Sequence, residues 1–152
     1  MKNNTMREVL FSDKKITYVG AGTEDISEKT DHYLWKMMNE KGEISIDVWD
    51  VQELFKNDNY IYAGFSTCNK ESEITVCLKE LIERMCNVTA NNKISDQIIM
   101  FVGEIRLFAI QEAVEAAVYM NGIAETNTLF CNVKRTDEDS EAKIEIMVLA
   151  GE

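Results

Sequence analysis

Between residues 74 and 85 the apolar side chains Ile74, Cys77, Leu78, Leu81, Ile82 and Met85 recur at i, i+3 and i+4 without interruption. That spacing places them in one stripe along an α-helix, and Asn69 stands where it can cap such a helix. The stretch before it, 60-YIYAGFS-66, has the composition of a strand. The stretch after it, residues 97–102, is a continuous apolar run ended by Gly103, which reads as a central strand. An amphipathic helix set between two strands suggests an α/β arrangement.

The rest of the chain extends the alternation. Residues 7–11 and 15–19 read as strands joined by a turn at Ser12-Asp13-Lys14. Gly20-Ala21-Gly22 breaks the pattern, and residues 23–30 read as a polar loop or a weak first turn. From Asp31 to Lys41 the residues Tyr33, Leu34, Met37 and Met38 recur at helical spacing, and Gly42 stops that helix. A short helix carrying Val51, Leu54 and Phe55 starts at Asp47 or Asp50 and stops at Asn57-Asp58-Asn59. After a polar loop over residues 87–96 and the strand at 97–102, a helix spans residues 106–120 with Leu107, Ile110, Val114 and Ala117 inward, and Asn121-Gly122 ends it. Two strands close the chain, residues 128–134 and 143–149, as a hairpin-like pair around the charged turn 135-RTDEDSEA-142. The predicted fold is an α/β (α+β) two-layer sandwich with about four strands in a mixed sheet and flanking helices. Residues 1–41 form an N-terminal extension with a possible strand pair and helix, and residues 42–152 form the main domain.

The net charge of −11 argues against nucleic acid or an anionic membrane as a partner, since both need a basic surface. The N-terminal stretch MKNNTMREVLF lacks the apolar run of a signal peptide, and no segment approaches the ~20 apolar residues of a membrane span. A cytoplasmic location is expected. The four cysteines, Cys68, Cys77, Cys86 and Cys131, form no CxxC pair, and His32 is the single histidine, so no metal site is expected. Cys77 and Cys131 read as small buried hydrophobes. His32, beside Tyr33 and Trp35, reads as a packing or surface residue. Residues 137–141 read as a solvated turn, and Tyr60, Tyr62 and Phe65 as the core and edge of a strand.

Five segments in order carry a family resemblance. These are 42-GEISIDVWDV-51, 61-IYAGFSTCNKESEITVCLKELIERM-85, 98-IIMFVGEIRLFAIQEAVEAA-117, 128-TLFCNV-133 and 144-IEIMVLAG-151. At compatible spacings they resemble the C-terminal domain of FtsZ, the bacterial tubulin homologue. In that family a glycine ends a long helix, and a loop of the form Asn-x-Asp-Phe-Ala-Asp-Val leads into a short one. The family's Leu-Phe and Glu-Ala pairs match Leu107-Phe108 and Glu112-Ala113. The resemblance covers residues 42–151. The family's GTP-binding domain has no counterpart, because residues 1–41 are too few to build the βα units of a nucleotide fold, and Gly20-Ala21-Gly22 reads as a turn. No cofactor is expected. The family's C-terminal linker and tail peptide, its route to membrane tethers, also have no counterpart in this sequence.

The resemblance points to a site in 44-ISIDVWDVQELF-55. In FtsZ the loop acids reach into the nucleotide pocket of the next subunit and help position the water that attacks GTP. Carried over, those acids are Asp47 and Asp50. Ser45 stands where the family has asparagine, and Trp49 replaces a small residue, which re-aims or crowds the loop. A carboxylate near a lytic water can orient it or accept its proton. The competing reading is structural: Asp50 ahead of Val51-Gln52-Glu53 looks like an N-cap with Glu53 completing a capping box. Asp47 fits a cap less well and is the better candidate for an interaction. Neither acid can hydrolyse GTP without a nucleotide site.

These readings predict a non-enzymatic FtsZ-like interaction module that self-associates or docks on an FtsZ/tubulin-type partner, capping or regulating filaments in cell division. Two alternatives stay open: a small-molecule-binding or catalytic α/β domain reusing the fold, and a remnant of a divergent FtsZ.

Overall fold

The structure, a computed structural model, describes residues 5–19, 26–40, 42, 44–89, 94–120, 127–133 and 144–152. The elements run α1 (Met6–Phe11), β1 (Lys15–Val19), α2 (Ile26–Asn39), α3 (Val48–Leu54), β2 (Tyr60–Cys68), a 3-10 turn (Glu71–Glu73), α4 (Ile74–Val88), β3 (Asp96–Val102), α5 (Leu107–Met120), β4 (Asn127–Val133) and β5 (Ile144–Gly151). The readings at Gly20-Ala21-Gly22, at Asn121-Gly122 and at the charged turn 135–142 lie outside the described residues.

One mixed sheet has the order β1-β2-β5-β3-β4. β1 runs parallel to β2, and β3 parallel to β4, while β5 is antiparallel to both of its neighbours, β2 and β3. This is the α/β sandwich with a mixed sheet that the alternation predicts, with five strands in place of four. The added strand is β1, from the N-terminal stretch.

The terminal hairpin is not formed. β3 lies between β4 and β5, pairing Ile98 with Leu129 on one side and Leu149 on the other. The physical reason is burial. Every residue of β5 is buried, which requires a neighbour on each side, whereas β4 begins exposed at Asn127 and suits an edge. The run 147-MVLA-150 carried this signal, because a hairpin strand with one wet face would alternate throughout.

Residues 7–11 form helix α1, not a strand. Thr5 caps it, accepting the Glu8 N–H at 3.2 Å, and Leu10 and Phe11 are its buried residues. A five-residue apolar run carries too few periods to separate the two states. Asn69 caps nothing. Its N–H is held by Glu73 Oε1 at 3.2 Å, and the 3-10 turn leads into α4.

The core divides by face. Ile74, Leu78, Leu81, Ile82 and Met85 of α4, with Ile110, Ala113, Val114 and Ala117 of α5, pack on Tyr62, Ile99, Phe101, Ile146 and Val148. Each large apolar side chain buried in this way contributes about 1.5–3 kcal/mol. Tyr33, Leu34 and Met37 of α2, with Leu10, Phe11, Val51 and Phe55, pack on Ile61, Ile98, Met100, Met147 and Leu149. Thus β2–β5 with α4 and α5 give the expected two layers, and α1, α2 and α3 add a layer on the opposite face.

Candidate functional site

The loop that carries the two acids is tied to the edge of the sheet. Asn132 of β4 reaches outward: its N–H donates to Ile44 O at 3.1 Å, its carbonyl accepts from Gly42 at 3.0 Å, and its Oδ1 accepts the Ile44 N–H at 2.8 Å. Gly42 sits so close that a Cβ there would lie 2.7 Å from Asn132 O and Oδ1. Only glycine permits that approach without displacement. Ile44 packs against the core on the α4–α5 face, and Ile46 is buried on the other, so the loop wraps around the edge of β4.

Beyond Ile46 the chain turns into α3, and here the structure reassigns the cap. Asp47 is the N-cap, not Asp50, and Glu53 takes no part in the box. The Asp50 N–H donates to Asp47 Oδ1 at 2.8 Å, and the Asp47 N–H donates to Asp50 Oδ2 at 3.1 Å. Asp50 at the third helical position returns the bond that Glu or Gln usually makes, and its shorter side chain still reaches. Glu53 instead pairs with Lys56 at 2.6 Å. Each carboxylate spends one oxygen on the turn, and its second oxygen bonds to no described residue. The cap and an outward-facing acid are therefore not exclusive. Ser45 and Asp47 are exposed, Asp50 is half-buried, and Trp49 is 67% exposed, close to the most open large apolar side chain among the described residues.

The opposite end of the sheet holds a second acid pair that sequence reasoning missed. Asp58, read only as part of a helix stop, is 5% exposed. Its Oδ2 is buried against Gly151 and receives no hydrogen bond. Its carboxyl is pushed up to about 7, first by burial, then by a hydrogen bond to the Asp96 carboxyl and by the charge of Asp96, with Lys14 opposing. The Lys14 ammonium sits on the Asp58 carbonyl at 2.7 Å, and Asn127 holds Asp96 Oδ1 at 2.9 Å. Burial and the neighbouring Asp96 carboxyl together favour the protonated form of Asp58 between the β2 and β3 starts. The signal was present only as an aspartate at each of two strand starts, which strand order alone could join.

The cysteines behave as apolar filler. Burial pushes Cys68 and Cys131 up to about 12 and also raises Cys86, which keeps these thiols protonated and poor nucleophiles. Cys77 is half-buried against the same core. Among the described residues no group of three His, Cys, Asp or Glu side chains is placed to hold a metal ion, and no helix is long and apolar enough to cross a membrane. His32 is exposed, tilted 5.3 Å from the Tyr33 ring. Tyr62 is buried, Phe65 half-buried and Tyr60 exposed, as expected of a strand's core and edge.

No protein-family model matches the chain, and no curated protein matches its sequence. Among solved structures it is similar to a mutant of FtsZ from M. jannaschii, with a TM-score of 0.52, 14% identity, and coverage of 88% of this chain and 42% of that one. It is also similar to the empty FtsZ dimer of M. jannaschii, with a TM-score of 0.53, 14% identity, and coverage of 87% and 41%. At this identity the likeness is one of fold. The chain spans less than half the length of these FtsZ chains.

Proposed function

We propose that this chain is an interaction module of FtsZ-like fold that docks through the 42–50 loop on an FtsZ-type protein or on a second copy of itself. The observation that carries the reading is the build of that loop. Asn132 fixes its start, the reciprocal Asp47–Asp50 box fixes its end, and between them Ser45, Asp47 and Trp49 face solvent. A rigid backbone that presents an exposed tryptophan beside two acids loses little entropy when a partner covers it, and tryptophan is among the strongest anchors of protein interfaces. The second oxygens of Asp47 and Asp50, which bond to no described residue, suit a partner face that offers amides or a cation.

The module is proposed to act by binding and not by chemistry of its own. Presenting one docking face, it would cap or regulate a filament. The test mixes the chain in excess with an FtsZ from the same cell and GTP, and follows polymer mass by light scattering together with phosphate release. A change in either that disappears with a Trp49→Ala, Asp47→Ala variant supports the proposal. Unchanged polymer and unchanged hydrolysis, with no self-association through the loop, overturn it.

A further inference from the structure

Two of the four cysteines meet. Tyr62 and Cys68 of β2 both belong to the core on the α4–α5 face of the sheet, and Gly64 between them lies against Leu81 and Met85 of α4. β2 and β3 are both antiparallel to β5, so they run the same way, and α4 is the connection that returns between them. Its first turn therefore lies over the last residue of β2. Cys77 closes that turn. Its thiol is in hydrogen-bond contact with the Cys68 thiol, and its Sγ lies 3.9 Å from the carbonyl of Thr67, the residue before Cys68. Cys131 packs on the opposite face of the sheet.

The two sulfurs differ in access. Cys68 is buried and Cys77 half-buried. Burial, and then the charge and hydrogen bond of the Cys77 sulfur, push the Cys68 thiol up to about 12. Cys68 therefore keeps its proton, and Cys77 is the sulfur that a solute reaches first.

The segment between the two cysteines also carries a contact to α5. Glu71 lies within it and accepts the Arg106 N–H at 2.8 Å and the Arg106 Nε at 3.0 and 3.1 Å. This ion pair is the polar tie between the turn before α4 and the start of α5.

We propose that Cys68 and Cys77 are a site of reversible oxidation, closed by a hydroperoxide to an intrachain disulfide that staples the end of β2 to the first turn of α4 and fixes Glu71 on Arg106. The Cys77 sulfur attacks one oxygen of the peroxide, the O–O bond breaks, and the other oxygen leaves with the Cys77 proton as water. Cys77 is then a sulfenic acid. The Cys68 sulfur attacks the Cys77 sulfur, the S–O bond breaks, and the hydroxyl leaves with the Cys68 proton as a second water. The two thiols give up two electrons and two protons, and both peroxide oxygens end as water. A dithiol reverses the step by thiol–disulfide exchange. The site is separate from the docking loop and does not depend on it.

The test exposes the purified full chain to hydrogen peroxide and maps it with trypsin without reductant. Lys70 lies between the two cysteines, so trypsin separates Cys68 from Cys77 unless a disulfide joins their peptides. A linked pair of residues 57–70 and 71–79 is expected, with the chain lighter by two hydrogens, and dithiothreitol should release it. In the linked chain the melting temperature should rise by about 5 °C and the Arg106 amide should exchange roughly fivefold more slowly. The Cys68→Ala chain should stop at the Cys77 sulfenic acid, which dimedone captures. The Cys77→Ser chain should form no linked pair. Peptides that stay unlinked in the folded parent chain, a disulfide that joins two chains through Cys77, or a link from either residue to Cys86 overturns the proposal. An Arg106 amide that exchanges equally fast in the linked and reduced chains overturns the effect on Glu71.

Discussion

Asp47 and Asp50 hold each other's backbone: each carboxylate accepts the other residue's N–H, at 2.8 and 3.1 Å. The pair therefore behaves as one structural unit. Asp47→Ala should cost about 1 kcal/mol, as the loss of an N-cap generally does, and Asp47→Asn much less, because the amide oxygen still caps. In a double-mutant cycle Asp47→Ala and Asp50→Ala should be non-additive, the second costing little once the first is made. Urea unfolding of the four chains checks this, and simple additivity would show that the two bonds act independently.

The raised carboxyl of Asp58 makes stability fall as pH rises. An unfolded aspartate titrates near 3.8 and the folded Asp58 near 7, so between those values the folded state holds a proton that the unfolded state releases. Stability linked to this group is complete below pH 3.8 and is lost up to pH 7, at no more than about 1.4 kcal/mol per pH unit. Asp58→Asn keeps a donor to Asp96 and removes the titration. It should stabilise the chain at pH 8 relative to the parent and give no advantage at pH 4. Equal urea midpoint differences at both pH values would exclude a proton held on Asp58 in the folded chain.

Much of this architecture was legible from periodicity. The α4 stripe and the run 97–102 placed a helix and an inner strand where they stand, and the five-segment resemblance gave the fold that the solved structures share. Strand order was not legible, because alternation states how buried a strand is and not which strand lies beside it. That is why β5 was paired with β4, and why the meeting of Asp58 with Asp96 was invisible. The candidate loop was marked by its residues, but its geometry was not legible. The acids of 44-ISIDVWDVQELF-55 were identified, yet the cap fell on Asp47 and not Asp50, a shift of one helical turn that two acids three apart make ambiguous. Asn132 carried no signal: a polar residue between Cys131 and Val133 is what any edge strand shows.

The Asn132 anchor predicts a local effect. Asn132→Ala removes the side-chain acceptor of the Ile44 N–H while leaving the backbone bonds to Gly42 and Ile44 in place. A global cost of about 1 kcal/mol is expected for one partly buried hydrogen bond. The larger effect should be local, with faster amide exchange at Ile44 than at Val51 of the adjoining helix. Any partner affinity that depends on Trp49 should weaken with it, since the loop start is then unfixed. Exchange rates that rise equally across the chain would instead point to global loss of stability.

Glu145 lies on the central strand, 1% exposed, with neither carboxylate oxygen hydrogen-bonded, and Lys29 of α2 stands 3.5 Å away with its ammonium 4.9 Å from the Phe65 ring. Among the described residues Lys29 is the charge that offsets this buried carboxylate. Removing it by Lys29→Met should be strongly destabilising, by about 3 kcal/mol, because the carboxylate is then buried and unpaired. Replacing both, as Lys29→Met with Glu145→Met, should recover most of that loss, since an apolar pair of similar volume fits between Phe65 and the strand. Guanidinium unfolding of the single and double variants decides it. A double variant no more stable than Lys29→Met alone would mean that Lys29 acts by packing its stem and not through its charge.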